Sequence, residues 1–159
     1  ERLSSFGSTV LAYDPFASQE EADAYRCTLV TLPELLAESD LVSVHMRLTD
    51  KTRHLLGRKQ FDMMKPSAWL VNTARAGILD EDALIQALQQ EKIGGAALDV
   101  YSKEPLALDH PLLRLHNVIL TPHCAGGVED LPYLSFSAVR DNLMAFLQGK
   151  PLQQVLNQS

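Results

Sequence analysis

Three side chains suited to acid–base and anion chemistry follow three apolar, β-rich runs. Arg75 comes after Ala68–Asn72, Glu104 after Ala96–Val100, and His123 after Val118–Thr121. A histidine, with an ordinary pKa of roughly 6.5, can give a proton to a carbonyl oxygen and take it back. A carboxylate on its other ring nitrogen fixes the tautomer. A guanidinium can grip a carboxylate through two parallel hydrogen bonds and polarise a carbonyl beside it. A 2-oxo acid presents those two groups side by side. Each residue also has a plain alternative. Arg75 can be a solvated loop residue, Glu104 one more charge in a Lys-Glu-Pro turn, and His123 a ring packed against a helix start. Singly, the plain alternatives weigh at least as much. Together, behind three successive strands, the set favours chemistry.

The elements that must position these residues alternate. Glu1–Phe6 reads as a helix tail stopped by Gly7, and Thr9–Tyr13 as a strand ended by Asp14-Pro15. A polar stretch holding Glu20–Asp23 follows and reads as a solvated face; Leu29-Val30 reads as a brief strand. Thr31-Leu-Pro-Glu34 has capping-box spacing and predicts a helix towards Ser39. Leu41–His45 predicts a strand, Arg58–Met64 a short helix ended before Pro66, and Ala68–Asn72 a strand with Trp69 as core packing. Asp80 caps a helix carrying Leu84, Ile85 and Leu88, with Gly94-Gly95 as its stop. Ala96–Val100 and Val118–Thr121 are strands, and Glu129–Leu147 is a last helix ended by Gly149 and Pro151. Short apolar strands between helices predict a doubly wound α/β fold with a parallel sheet. Residues 1–150 form its domain and 151–159 a tail leading away. In such sheets ligands sit outside the carboxyl ends of the strands, where Arg75, Glu104 and His123 fall.

Asp14 also falls at a strand end. A carboxylate there can accept hydrogen bonds from a ribose and repel a 2′-phosphate; Asp-Pro is equally a common turn, and on this residue alone the turn is favoured.

Bulk composition narrows the classes. Of 159 residues, 46% are apolar and 21% charged, an ordinary globular balance with room for a core. Twenty acidic residues against fourteen basic ones give a net charge of −6 without a basic cluster, which argues against a nucleic-acid partner. No apolar run reaches membrane-spanning length, so no membrane partner is expected. Cys27 and Cys124 form no C-x-x-C pair, which fits a reducing cytoplasm. No metal is expected, because His54, His110 and His116 lack ligand spacing. His45 reads as structural. Cys124 adjoins His123, but neighbours in extended chain face opposite ways, which argues against a Cys–His pair.

Many ordered segments carry a resemblance. They are Leu11–Pro15, Ser43–His45 with Leu48-Thr49 and Thr52–His54, Met64–Pro66, Val71–Arg75 with Gly77, and Asp80-Glu81. They continue with Gly95–Val100, Glu104-Pro105, His110–Leu112, Asn117-Val118, Thr121–His123 and Gly126. In these the chain resembles the NAD-binding domain of the D-isomer-specific 2-hydroxyacid dehydrogenases, phosphoglycerate dehydrogenase-like enzymes among them. The resemblance implies a Rossmann-type domain. It further implies that Arg75 binds substrate, Glu104 supports the histidine, and His123 is the acid–base. Asp14 would hold the adenosine ribose, Thr73 and Ala74 would line the NAD groove, Asp99 would contact the carboxamide, and Gly126 would let backbone pass near the nicotinamide.

The activity implied is hydride transfer between NAD and a D-2-hydroxy or 2-oxo acid, in a cytoplasmic homodimer. The alternative is a dinucleotide-sensing interaction protein of corepressor type on the same fold. A formate dehydrogenase-like enzyme fits less well, since Glu104 stands where those carry Gln. Two departures lead to the expectation that the first strand, the glycine-rich loop and the substrate domain lie outside this sequence. No G-x-G-x-x-G occurs, and the family's substrate domain has no counterpart here. The piece alone is therefore expected to bind NAD poorly and to be inactive. As a third departure, Arg47 stands where the family usually has Pro, near the adenine end. A surface role is favoured, and phosphate binding is the alternative.

Overall fold

The computed structural model describes residues 3–127 and 131–153. The chain forms two compact units, Glu1–His123 and Cys124–Ser159.

In the first unit the strands are β1 (Leu11–Ala12), β2 (Thr28–Leu29), β3 (Leu41–Val44), β4 (Trp69–Asn72), β5 (Gly95–Leu98) and β6 (Val118–Leu120). The helices are α1 (Gln19–Ala24), α2 (Leu32–Glu38), α3 (Arg58–Phe61) and α4 (Glu81–Gln89). Every pairing is parallel. The fold class is thus the expected parallel α/β one, but the strands pair as two sheets, β1-β2 and β3-β4-β5-β6.

Local sequence explains most helix starts. Thr31 caps α2 as predicted: Glu34 N–H donates to Thr31 Oγ1 at 3.4 Å, and Thr31 N–H donates to Glu34 Oε2 at 2.8 Å. The same reciprocal box links Ser18 and Glu21, so the acidic stretch forms the short helix α1, with Glu20, Glu21 and Asp23 exposed as the solvated-face reading expects. Asp80 Oδ1 accepts from Ala83 N–H at 3.1 Å, and Glu81 and Asp82 place negative charge at the start of α4.

The end of α4 corrects the sequence reading. Gly94-Gly95 do not stop it. Glu91 takes φ +51, Lys92 N–H donates to Ala87 O, and Glu91 N–H donates to Leu88 O. That is a Schellman closure with Glu in the place usually taken by Gly. Gly95 instead opens β5. A Cβ there would stand 2.6 Å from both Asn117 O and the Trp69 ring. Gly149 does behave as predicted: at φ +64 it closes the last helix, with Lys150 N–H donating to Ala145 O at 2.8 Å. The predicted opening helix tail is a 3-10 turn over Leu3–Phe6 followed by Gly7 at φ +74; Glu1 and Arg2 lie outside the described residues. α3 is shorter than predicted, ending at Phe61.

The core lies between α3, α4 and the four-stranded sheet. Phe61, Leu70, Ile78, Leu84, Leu88, Ile93 and Leu112 are fully buried. Truncating any such leucine to alanine would cost about 2–5 kcal/mol. The outer strands of this sheet alternate more than the sequence suggests: Leu41 on β3 and Ile119 on β6 are exposed, while Val42 and Val44 are buried.

The second unit contains α5 (Leu131–Leu147); the predicted start at Glu129 lies outside the described residues. Asn142 exchanges two hydrogen bonds with the backbone of Gln153, so the chain from Lys150 to Gln153 returns to this helix.

Candidate active site

β4, β5 and β6 are neighbours, so the segments leaving their carboxyl ends carry Arg75, Glu104 and His123 in that order. Glu104 and His123 meet: His123 Nδ1 lies 2.8 Å from Glu104 Oε2. The other carboxylate oxygen accepts from Tyr101 N–H at 3.0 Å. The His123 hydrogen bond, then the Tyr101 N–H, hold the Glu104 carboxyl below its ordinary 4.5, outweighing partial desolvation and the charge of Asp99. An ionised carboxylate only accepts. His123 Nδ1 therefore carries the ring proton in this bond, and Nε2 is the nitrogen left for other partners.

The backbone of His123 stands at φ +55. Histidine visits this left-handed region more than most residues, yet it persists only where the surroundings hold it. Its N–H donates to Thr121 O at 3.0 Å. Thr121 is itself anchored: its hydroxyl donates to Asp99 Oδ1 at 2.5 Å, and its carbonyl accepts from the Tyr101 hydroxyl at 2.8 Å. Asp99, only 2% exposed, closes the end of β5.

Arg75 leaves β4 on a loop shaped by Asn72. The fully buried Asn72 amide accepts from Ala74 N–H at 3.0 Å and donates to Arg75 O at 3.1 Å. The Arg75 guanidinium is exposed and donates to Ala74 O at 2.6 Å, rather than reaching the Glu104–His123 pair. Thr73 is exposed and Ala74 half-buried on the same loop. Asp14 is exposed after β1; its Oδ1 accepts from Phe16 N–H at 2.9 Å, so the turn role is real and one oxygen remains for another donor. A Cβ at Gly126, in the second unit, would meet nothing within 4 Å. His45, read as structural, is exposed and bonds Ser43 Oγ at 2.8 Å.

Sequence reasoning missed the supporting roles of Asn72, Tyr101 and Thr121. An Asn directly after an apolar strand was the available signal for Asn72. A tyrosine in a buried stretch needs a partner for its hydroxyl, which was the signal for Tyr101. It also missed Glu81, whose Oε2 accepts from Ser102 N–H at 3.2 Å and so steadies the Glu104 loop.

Residues 1–125 match the family described as "D-isomer specific 2-hydroxyacid dehydrogenase, NAD binding domain". A D-3-phosphoglycerate dehydrogenase of Archaeoglobus fulgidus is 40% identical over 157 residues, 99% of this chain and 30% of that protein. A glyoxylate reductase of Korarchaeum cryptofilum is also 40% identical over 157 residues, 99% of this chain and 47% of that protein. The chain thus spans half or less of the length of these relatives. Among solved structures, a D-isomer specific 2-hydroxyacid dehydrogenase from Lactobacillus delbrueckii ssp. bulgaricus in its NAD complexed form superposes with a TM-score of 0.87. It has 30% sequence identity, and the match covers 98% of this chain and 50% of that one. This chain belongs to the D-isomer specific 2-hydroxyacid dehydrogenase family, as its NAD-binding domain.

Proposed function

We propose that this chain is the cofactor-binding half of an oxidoreductase acting between NAD(H) and a D-2-hydroxy acid or its 2-oxo acid. The observation that carries the reading is the bond between His123 Nδ1 and Glu104 Oε2, which leaves Nε2 as the proton-transferring nitrogen. Support comes from relatives named as a phosphoglycerate dehydrogenase and a glyoxylate reductase, and from a neighbour solved with NAD.

The residues at the strand ends suit a dinucleotide. Asp14 keeps one carboxylate oxygen to accept from a ribose hydroxyl, and its charge opposes a 2′-phosphate. By the family resemblance, Thr73 and Ala74 would line the cofactor groove, Asp99 would contact the carboxamide and Gly126 would lie near the nicotinamide. The nicotinamide, when bound, supplies or accepts the hydride. Arg75 grips the substrate carboxylate and polarises the neighbouring carbonyl. His123 gives its Nε2 proton to the carbonyl oxygen during reduction and takes it back during oxidation. Glu104 holds the Nδ1 proton and balances the positive charge of the doubly protonated ring. Arg47 is exposed and is read as a surface residue. A cytoplasmic homodimer completes the proposal, supported by Cys27 and Cys124, which form no disulfide among the described residues, and by apolar Phe136, Val139 and Leu143 exposed on α5.

Oxidation of NADH and NADPH by the full-length protein, with glyoxylate and larger 2-oxo acids, tests the reading. The expected result is NADH consumption with at least one acid, and a loss of about 10²–10⁴-fold in His123→Ala. Clear NADH binding with no turnover on any acid would overturn it in favour of a dinucleotide-sensing interaction protein.

A further inference from the structure

Tyr101 is bonded both to Glu104 and to Thr121, the residue whose carbonyl also accepts from His123 N–H. Its backbone N–H donates to Glu104 Oε1 at 3.0 Å. Its hydroxyl lies 2.8 Å from Thr121 O and 3.0 Å from Leu98 O, and the side chain is 9% exposed. Thr121 O is also the acceptor of His123 N–H at 3.0 Å, the bond that closes the three-residue turn over Pro122 leading into the left-handed His123. One carbonyl therefore takes both the Tyr101 hydroxyl and the His123 amide.

We propose that Tyr101 is a positioning residue that sets the geometry of the Glu104–His123 bond, a role that rests on reading this pair as the proton-handling centre. Tyr101 fixes the carboxylate through its main chain and the histidine turn through its side chain. The left-handed backbone at His123 is unfavourable in isolation and has to be held from outside. The phenol also ties the end of β5 to the end of β6 through Leu98 O and Thr121 O, so the two strand ends cannot drift apart. Phenylalanine at this position fills the same space and keeps the main-chain bond to Glu104. It removes the hydroxyl's bonds to Thr121 O and Leu98 O.

The test compares the full-length wild-type protein with Tyr101→Phe and Ile93→Val, each labelled with ¹⁵N in the histidine rings. Ile93 is fully buried ahead of β5, at the strand end away from the site, and its valine variant is a packing control of similar severity. Two quantities are read: the His123 Nδ1–H resonance, and kcat and KM for a 2-oxo acid with NADH. Tyr101→Phe is expected to weaken or broaden the Nδ1–H resonance. It is also expected to lower kcat roughly three- to tenfold, the rate equivalent of one hydrogen bond, with KM changed by less than about twofold. Ile93→Val is expected to lower the melting temperature comparably and to leave the resonance and kcat in place. An unchanged resonance and kcat in Tyr101→Phe would overturn the proposal, and so would equal changes in Ile93→Val. Loss of the resonance in Tyr101→Phe alone, in a protein that turns over no 2-oxo acid, would uphold the positioning role and overturn the dehydrogenase reading instead.

Discussion

The buried amide of Asn72 donates to the backbone carbonyl of Arg75 at 3.1 Å, while its oxygen accepts from Ala74 N–H at 3.0 Å. Both ends of one side chain are spent on shaping the loop that presents Arg75. Asn72→Ala leaves these loop groups without their partner, at a cost of about 1–3 kcal/mol. Asn72→Asp keeps the acceptor and loses the donor. Urea unfolding should show the stability loss in both. Steady-state kinetics should show kcat/KM for a 2-oxo acid falling roughly tenfold, equivalent to about 1.4 kcal/mol. A stability loss with kcat/KM unchanged would mean that the loop geometry does not govern Arg75.

Gly95 is required by close approach. A methyl there would sit 2.6 Å from Asn117 O and 2.6–2.7 Å from two Trp69 ring carbons. Gly95→Ala should therefore destabilise by about 1–3 kcal/mol, as overpacking does. Adding Trp69→Phe should recover only part of the loss, because the backbone carbonyl of Asn117 still blocks the methyl. Thermal melts followed by circular dichroism measure both effects. Full recovery in the double variant would contradict the backbone clash.

Acid should weaken the fold through identifiable carboxylates. Glu104 is held below 4.5 by its His123 bond, Glu34 by the Thr31 hydroxyl, and Glu21 by the Ser18 backbone. A carboxyl that ionises at lower pH when folded stabilises fully above its unfolded value. It loses that contribution as pH falls through the folded one. Stability should thus decline below the ordinary carboxylate range, about pH 4.5, and Glu104→Gln should decline less steeply there. Denaturant midpoints measured from about pH 6 down to about pH 3 give the slope. Identical slopes for the variant and the wild type would show that Glu104 contributes nothing to the acid response.

Much of this was legible in the residues because the signals are local. Thr31 and Glu34 announce a capping box three residues apart, and Asp80 announces α4. Arg75, Glu104 and His123 could be found because each follows an apolar strand, and a parallel sheet gathers strand ends along one edge. The same capping signature at Ser18 and Glu21 was present and passed over, because the one side chain of α1 that is buried is the small Ala22. Other features could not be read locally. Nothing about Glu91 marks a left-handed helix end, where glycine is the usual sign. The roles of Tyr101 and Thr121 arise only when β5 and β6 lie side by side, twenty residues apart in sequence. The division into two sheets depends on which strands find partners, which strand propensity does not encode.

The central claim is that Glu104 and His123, joined at 2.8 Å, act as one proton-handling unit. A double-mutant cycle on the full-length protein tests it most directly, with kcat for a 2-oxo acid and NADH as the readout. Groups that act as a unit are strongly non-additive. Glu104→Ala and His123→Ala should each lower kcat, and the double variant should be no slower than His123→Ala alone. A double variant slower by the product of the two single losses would contradict it.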